Sequence, residues 1–374
     1  MRNKTLLYIV CMLIVIGGFS SAFGQIRYGQ NTAGQLKFTY SHWKIENGDT
    51  ATTIDQMSFP VSGFLPLKDN LEMHLFFAGA TNNINNNNND ISLSGLGDMR
   101  LQVNQSLSDD QWLVSAGLNL PTGKKSLDPD GRQILSALSE NYLSFPVRRL
   151  GRGLGFNVLL GTARASSSGN TRYGGGIMYQ FNGTYEPYEG TGDYNPGDMI
   201  SANAGVDISS GPTTVSIDAI YSLFAEDKVN DNKVFCQSPL LDLRLGVLRK
   251  MGSSSASLRL RYAMRGENKR YGGDNNEEIS SLQLFGNEFL LAGNASFAVS
   301  ESLYLIPLAE LRLISENEQD FGNASIVGFG SNLDYKLGQQ TKLTFGGKLY
   351  TGSADGGNFD LSGIQLTAGL KASF

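Results

Sequence analysis

Apolar and polar residues alternate with a period of two along most of the chain, and the C-terminal segment shows this most plainly. From Ile364 to Phe374 every even-numbered residue is apolar, whereas the residues between them are glycine or polar. Such alternation is typical of a β-strand with one apolar and one polar face. Sixteen segments of this kind lie near residues 35–44, 53–65, 70–80, 95–107, 111–121, 154–166, 172–184, 199–209, 213–224, 240–250, 256–265, 287–298, 302–313, 325–336, 341–351 and 364–374.

The connections between these segments are short and long in turn. Short ones such as LSDDQ (107–111) and SSGPT (209–213) alternate with long polar ones such as NNINNNNNDISLS (82–94) and YEGTGDYNPGD (188–198). Short turns at one end and long loops at the other are typical of outer-membrane barrels. The sequence therefore predicts an all-β fold, a transmembrane antiparallel up-and-down β-barrel of about 16 strands, within a range of roughly 14 to 18. A soluble β-sandwich or jelly roll is the alternative, because it also alternates.

One connection, residues 122–153, is too long for an ordinary loop. Asp128-Pro129 is a typical helix start, and Ile134, Leu135 and Leu138 follow at helical spacing. We therefore predict a segment folded into the barrel or over its mouth, as a constriction or plug. If ENYLSFPVRR (140–149) were instead a strand, the strand number would become odd and the later long and short connections would change sides.

The N-terminal residues have the pattern of a secretory signal peptide. Arg2 and Lys4 precede an apolar run of about eleven residues, shorter than the roughly twenty of a membrane-spanning helix, and small residues follow up to Gly24. We predict a cleaved signal peptide at 1–24, with 25–374 forming a single barrel domain in the bacterial outer membrane. An uncleaved anchor is the alternative interpretation.

The charge of the chain bears on its expected partners, and its cysteine content bears on internal disulfides. Loss of Arg2 and Lys4 from the 30 Lys and Arg leaves 28 against 35 Asp and Glu, a net charge near −7 with no basic block. Nucleic acid is therefore not an expected partner. Cys236 would be the one remaining cysteine, which excludes an internal disulfide.

Two quoted stretches carry a family resemblance. GLGDMRLQV (95–103) and DDQWLVSAGLNLPTG (109–123) resemble the outer-membrane barrel family named for the phenol meta-cleavage degradation pathway, and more distantly the long-chain fatty acid transporters. The resemblance implies passive uptake of small hydrophobic molecules through a barrel. The Asn-Pro-Ala motif of the fatty acid transporters is absent, so their gating mechanism does not transfer. The matching residues, to which the resemblance assigns a structural role, are Gly95, Gly97, Asp98, Pro121, Thr122 and Gly123.

Charged residues fall on the face that we expect to line the lumen, since the opposite face is apolar. Acids and bases are mixed on neighbouring strands, which fits either a cross-strand ion-pair ladder that stiffens the barrel or a charged constriction that orients a polar or amphipathic solute. Tyr304, Ile306 and Leu308 would make one wall of the lumen apolar. The predicted lumen-lining residues are Asp98, Arg100, Asp218, Asp242, Arg244, Arg259, Arg261, Glu310 and Arg312, with Arg265, Asp334, Lys336, Lys342, Lys348 and Lys371 in the wider set.

Material for catalysis or metal binding is scarce. His42 and His74 are the two histidines, and His74 shares a face with the carboxylate of Glu72, beside which it could act as a base. A base without a nucleophile in reach does not make an active site. DPDG (128–131) and the Asn run near 85–89 match no ordered calcium loop. We expect neither enzymatic activity nor a cofactor.

These observations together predict an outer-membrane channel or transporter for passive passage of small hydrophobic or amphipathic molecules. The alternative is a structural or adhesive barrel whose long outer loops bind a partner. The expected partners are outer-membrane lipid, the small-molecule solute and the barrel-assembly machinery, which reads the C-terminal strand ending at Phe374.

Overall fold

The computed structural model of the chain describes residues 31–86, 89–108, 110–124, 126–272, 277–318 and 321–374, so the predicted signal peptide lies outside the described residues. The wall consists of β1 (Ala33–Asn47), β2 (Thr50–Lys68), β3 (Leu71–Asn86), β4 (Asn89–Leu96), β5 (Met99–Leu107), β6 (Trp112–Leu120), β7 (Gly155–Ala165), β8 (Thr171–Asn182), β10 (Met199–Ser210), β11 (Thr213–Phe224), β14 (Leu240–Met251), β15 (Ser254–Arg265), β18 (Glu288–Ala298), β19 (Leu303–Ile314), β20 (Ala324–Lys336), β21 (Thr341–Ala354) and β22 (Phe359–Ser373). Helix α1 (Pro129–Ser139) lies between β6 and β7. The connections contain β9 (Tyr194–Asn195), β12 (Glu226–Val229), β13 (Asn232–Cys236), β16 (Asn268–Gly272) and β17 (Glu277–Leu282).

The wall is a closed antiparallel barrel, because β22 pairs with both β21 and β1. β4 and β5 both pair with β3 and are the two halves of one strand, interrupted at Gly97 and Asp98. The seventeen strands of the sheet therefore occupy sixteen positions around the barrel among the described residues. Each of the sixteen segments with period-two alternation corresponds to one position, which confirms the predicted fold class.

The long connections lie at one end of the barrel, which also has the two-residue turn between β1 and β2. At the end where β1 begins and β22 ends, called the terminus end below, neighbouring strands are joined by short turns such as Gly211-Pro212 and Gly252-Ser253. At the other end lie the long connections 121–154, 183–198, 225–239 and 266–287. The strands β9, β12, β13, β16 and β17 within them form a separate five-stranded sheet.

The prediction of a long polar loop over 82–94 is wrong. β3 continues to Asn86 and β4 begins at Asn89, and the two strands pair as a β-hairpin that rises from the wall. The reason is that Ile84, Ile91 and Leu93 share the inner face of this hairpin and are buried there. Asn83 and Asn85 are exposed on the other face.

The outer face of the barrel exposes large apolar side chains. Ile177 is 63% exposed, Phe329 52% and Phe345 53%. A soluble sandwich would pack such residues in its core, whereas a transmembrane barrel presents them to lipid.

No helix among the described residues is long and apolar enough to cross a membrane.

The polarity of the wall inverts along β1 and β2. Toward the termini, Phe38 and Tyr40 on the outer face are exposed and Thr39 on the inner face is polar. Beyond Tyr40, the inner face carries the buried Trp43, and the outer face carries His42, whose ring bonds to Asp55 on β2 at 2.9 Å. The lipid-facing surface of β1 therefore ends between Tyr40 and His42, and the strands continue beyond it.

The connection between β6 and β7 folds into the barrel, as predicted from its length, and it is called the inner segment (121–154) below. α1 begins with Asp128 as its N-cap, whose carboxylate accepts a hydrogen bond from the Gly131 N–H at 2.8 Å. Ile134 and Leu138 are fully buried in a cluster with inner-face residues of the wall such as Trp43. Residues 140–149 form no strand.

Candidate functional site in the barrel lumen

The inner segment is bonded to the wall at Gln56 on β2. The Gln56 amide donates to the Val147 carbonyl at 2.6 Å, and the Val147 N–H donates to the Gln56 side-chain oxygen at 3.0 Å. Gln56 also donates to Asn82 on β3 at 2.7 Å. This buried set satisfies the backbone of a segment that has no strand partner at this point.

A second attachment lies at β19, five strand positions around the wall from β2. The Arg312 guanidinium on β19 donates to the Asn141 carbonyl at 2.9 Å. Arg148 of the inner segment donates to the Leu143 carbonyl at 3.3 Å and to the Asn141 side chain at 3.4 Å. The inner segment therefore contacts two sides of the lumen.

Asp98 lies at the interruption between β4 and β5, where the inner segment begins and ends. Its carboxylate accepts hydrogen bonds from the Gly123 N–H at 2.9 Å, the Arg152 N–H at 2.6 Å and the Asn119 side chain at 3.0 Å. A Cβ added to Gly123 would lie 2.0 Å from the Leu150 carbonyl oxygen, so only glycine fits. Asp98 thus joins the two ends of the inner segment to the wall.

The residues of the resembling motif meet at this junction. The Met99 N–H donates to the Thr122 hydroxyl at 2.9 Å, and Gly95 lies beside Leu150 and Lys124. These contacts fit the structural role that the resemblance assigns.

An ion-pair network lies where the barrel approaches its long-loop end. Arg244 donates to both oxygens of the buried Asp242 at 3.0 Å, and Arg261 donates to Asp242 at 2.9 Å. Arg261 also reaches Glu288 at 3.4 Å, and Arg312 lies 3.9 Å from Glu288. The sequence interpretation missed Glu288, because the rest of β18 carries little charge and gives no hint of a partner across the strands.

Nearer the termini, β19 to β21 carry separate pairs. Lys348 donates to Glu310 at 2.8 Å, and Lys342 donates to Asp334 at 2.6 Å. Lys336 donates to the Tyr304 hydroxyl at 2.9 Å, so the expected apolar wall is partly polar.

Three predicted lumen residues lie apart from these pairs. Asp218 on β11 is the register partner of Arg244, and Arg259 on β15 lies opposite Gly246. Arg100 on β5 is exposed and lies opposite Asn119 on β6. That any of the predicted residues contacts a solute stays a prediction.

A cavity of ≈ 330 Å³ lies between α1 and the raised part of the wall. Burial raises the pKa of Glu140 at its rim, which favours the uncharged acid there. The lining is mostly apolar with a few polar groups and consists of Ile45, Thr52, Ile54, Gln133, Ser136, Ala137, Glu140, Tyr142, Leu143 and Phe359.

The two histidines each face a carboxylate. His74 Nε2 lies 2.8 Å from Glu72 Oε1, near the terminus end and on the inner face, and Glu72 also accepts from Asn104 at 2.9 Å. His42 is on the outer face with Asp55 and Tyr40. The described residues include no group of three or more His, Cys, Asp or Glu side chains that could hold a metal ion.

Comparison with known protein families and with curated proteins gives no match. Among solved structures, the chain is similar to OccK1 (OpdK) of Pseudomonas aeruginosa, with 9% identity, coverage of 92% of this chain and 99% of that chain, and a TM-score of 0.46. It is also similar to a Pseudomonas aeruginosa FadL homologue (8% identity, 92% and 90% coverage, TM-score 0.45) and to the CymD monoaromatic hydrocarbon channel (12%, 92% and 89%, 0.43). These values assign the chain to none of these families. The resemblance to the phenol-degradation family is not confirmed.

Proposed function

We propose that this protein is a channel of the bacterial outer membrane for passive passage of small hydrophobic or amphipathic molecules. The observation that carries the proposal is the cavity between α1 and the raised wall. Its volume of ≈ 330 Å³ is in the range of small-molecule sites, and its lining combines apolar side chains with a few polar groups. A solute reaching this end of the barrel would find an apolar surface.

The inner segment supports a selective path rather than an open pore. It buries Ile134, Leu138 and Leu143 against the wall and is held there by a few hydrogen bonds at Gln56 and Arg312. A solute that binds beside α1 could pass the segment after a small displacement of these contacts. The resemblance at 95–123 favours the same solute class.

Filling the cavity tests the proposal. Ala137→Phe places a ring among the lining residues, and Ala116→Phe makes the same change on the exposed face of β6. Uptake of 1-N-phenylnaphthylamine, an apolar dye excluded by intact outer membranes, is measured in cells producing each variant. We expect the unaltered protein and Ala116→Phe to admit the dye equally, and Ala137→Phe to admit it at least about fivefold more slowly. Equal rates for all three would reject the cavity as the path of the solute, and no rate above that of cells without the protein would reject the channel.

The plug role is tested separately by deleting residues 124–150. Gly123 and Gly151 are backbone neighbours, with a Cβ on Gly151 lying 3.2 Å from the Gly123 carbonyl carbon, so the deletion closes a short gap. We expect a larger single-channel conductance in planar bilayers. The variant must keep the heat-dependent shift on an SDS gel that marks a folded barrel. Unchanged conductance in such a variant would reject the plug.

A second candidate function is a structural or adhesive barrel. The five-stranded sheet formed by the long connections favours it, because ordered outer loops can present a binding surface. Such a barrel would pass neither hydrophobic nor hydrophilic solutes in the transport assays.

A further inference from the structure

Three arginines lie together where the inner segment meets the wall. The Arg152 N–H donates to Asp98, and the Asn119 side chain donates to the same carboxylate. Arg100 lies opposite Asn119 in the strand register. The Arg149 carbonyl oxygen lies 3.8 Å from the position of a Cβ on Gly97, the residue before Asp98. The three side chains therefore start from one small region of the lumen.

Arg152 keeps an exposed surface in this region. The pKa of Arg152 is lowered by burial and then by the positive charges of Arg149 and Arg100. Like charges this close raise the energy of the site unless an anion shares it.

The acids nearby are occupied by neutral donors. Asp98 accepts from two backbone N–H groups and one amide side chain. Asp227, whose pKa is raised by burial, accepts from the Gly197 N–H at 2.7 Å and the Tyr194 hydroxyl at 2.5 Å. Among the described contacts, the side chains of Arg100, Arg149 and Arg152 have no carboxylate hydrogen-bonded to them, unlike Arg244 and Arg261 on the far wall.

Aromatic rings lie on the side of the site toward the long loops. Tyr185 and Tyr194 pack edge to face with ring centroids 5.7 Å apart and planes at 82°. The Tyr185 Cβ lies 3.2 Å from the position of a Cβ on Gly153, next to Arg152 in the chain. Burial raises the pKa of both tyrosines, so the phenols remain neutral.

We propose that Arg100, Arg149 and Arg152, together with Tyr185 and Tyr194, form a binding site for the carboxylate of a small aromatic acid. Guanidinium groups match the two oxygens of a carboxylate, and phenol rings pack against an aromatic body. The inference rests on the proposed channel and names one class among its amphipathic solutes, the small aromatic acids. The protein as a whole carries a net charge of −5, so this cluster of arginines is a local positive region on a negatively charged protein.

Equilibrium dialysis of the detergent-solubilised full chain tests the site, with benzoate and the neutral benzyl alcohol as probes. We expect benzoate to bind at least about tenfold more tightly than benzyl alcohol, as charge-assisted hydrogen bonds require. The triple variant Arg100→Gln, Arg149→Gln, Arg152→Gln should lose at least about tenfold in benzoate affinity. The matched control Arg172→Gln, at an exposed arginine near the start of β8 and outside the predicted lumen-lining set, should change it less than about twofold.

Several results would overturn the proposal: equal affinity for the two probes, no benzoate binding, an unchanged triple variant, or an equal loss in Arg172→Gln. If the triple variant lacks the heat-dependent gel shift of a folded barrel, Arg152→Lys replaces it. That variant keeps the charge and removes the planar fork, and it should weaken benzoate binding at least about threefold. Binding is measured without transport, so failure of this site leaves dye uptake intact, and failure of dye uptake leaves benzoate binding intact.

Discussion

Gln56 pairs with the backbone of Val147 as a neighbouring strand would, with one hydrogen bond donated and one accepted, at 2.6 and 3.0 Å. Gln56 is completely buried and Val147 nearly so. A single side chain of the wall thereby takes the place of a strand for the inner segment. This pairing explains how ENYLSFPVRR stays inside the barrel without entering the sheet.

Gln56→Leu removes both bonds and leaves the Val147 N–H and carbonyl unsatisfied, which costs about 1–3 kcal/mol of attachment free energy. We expect the inner segment to detach more often and trypsin to cleave after Arg148 and Arg149 more rapidly. The matched control is Gln365→Leu, whose amide bonds to Ser41 within the wall. Equal cleavage rates in the two variants would contradict the role of Gln56.

Asp98→Ala removes the acceptor for three N–H groups at the junction of the inner segment with the wall. Because the site is partly exposed, water replaces some of these bonds, and we expect a loss of about 1–2 kcal/mol. The readout is the temperature at which the folded band shifts on an SDS gel. Asp90→Ala, on the exposed face of β4, should leave that temperature unchanged.

Phe38→Lys introduces a charge on the lipid-facing part of β1, and this should cost about 2–4 kcal/mol near the bilayer centre. Asn83→Lys lies on the exposed face of β3 beyond the inversion of polarity and should cost about 0–1 kcal/mol. Urea unfolding of the protein in phospholipid vesicles measures both. Similar costs would place the membrane boundary elsewhere on the wall.

Asp242→Leu leaves Arg244 and Arg261 without their shared carboxylate. The two arginines keep 29% and 30% exposure, so solvent offsets part of the loss, and we expect about 1–3 kcal/mol. Asp218→Leu is the control, since Asp218 is exposed on the neighbouring strand. Loss of stability confined to Asp242→Leu, seen as a lower gel-shift temperature, is the expected outcome.

Phe374→Ala separates folding from assembly. The Phe374 N–H donates to the Thr32 carbonyl at 2.7 Å, a bond that alanine keeps, while the ring is 45% exposed. We therefore expect refolding in vesicles to be unchanged within about 0.5 kcal/mol, and the amount of barrel assembled in cells to fall severalfold. Full assembly in cells would remove the proposed recognition of this residue by the assembly machinery.

Part of the ion-pair network was predictable from the sequence. Asp242, Arg244, Arg261, Glu310 and Arg312 follow from strand parity, and the structure brings all of them into ion pairs. Their partners do not follow, because Glu288 lies on a strand with little other charge. Arg149 and Arg152 belong to a segment without periodicity, so no pattern assigned their direction.

The sequence by itself determined the sixteen strands, their apolar outer face and the short helix, because alternation and capping are local and lipid demands an uninterrupted apolar row. Only the tertiary structure decided that 82–94 rises as a hairpin, that residues 140–149 lie against Gln56, and that Arg312 reaches Asn141, which is 171 residues away in the chain. Contacts across a lumen join residues that are distant in the sequence. Which residues meet depends on how the inner segment packs inside the closed barrel.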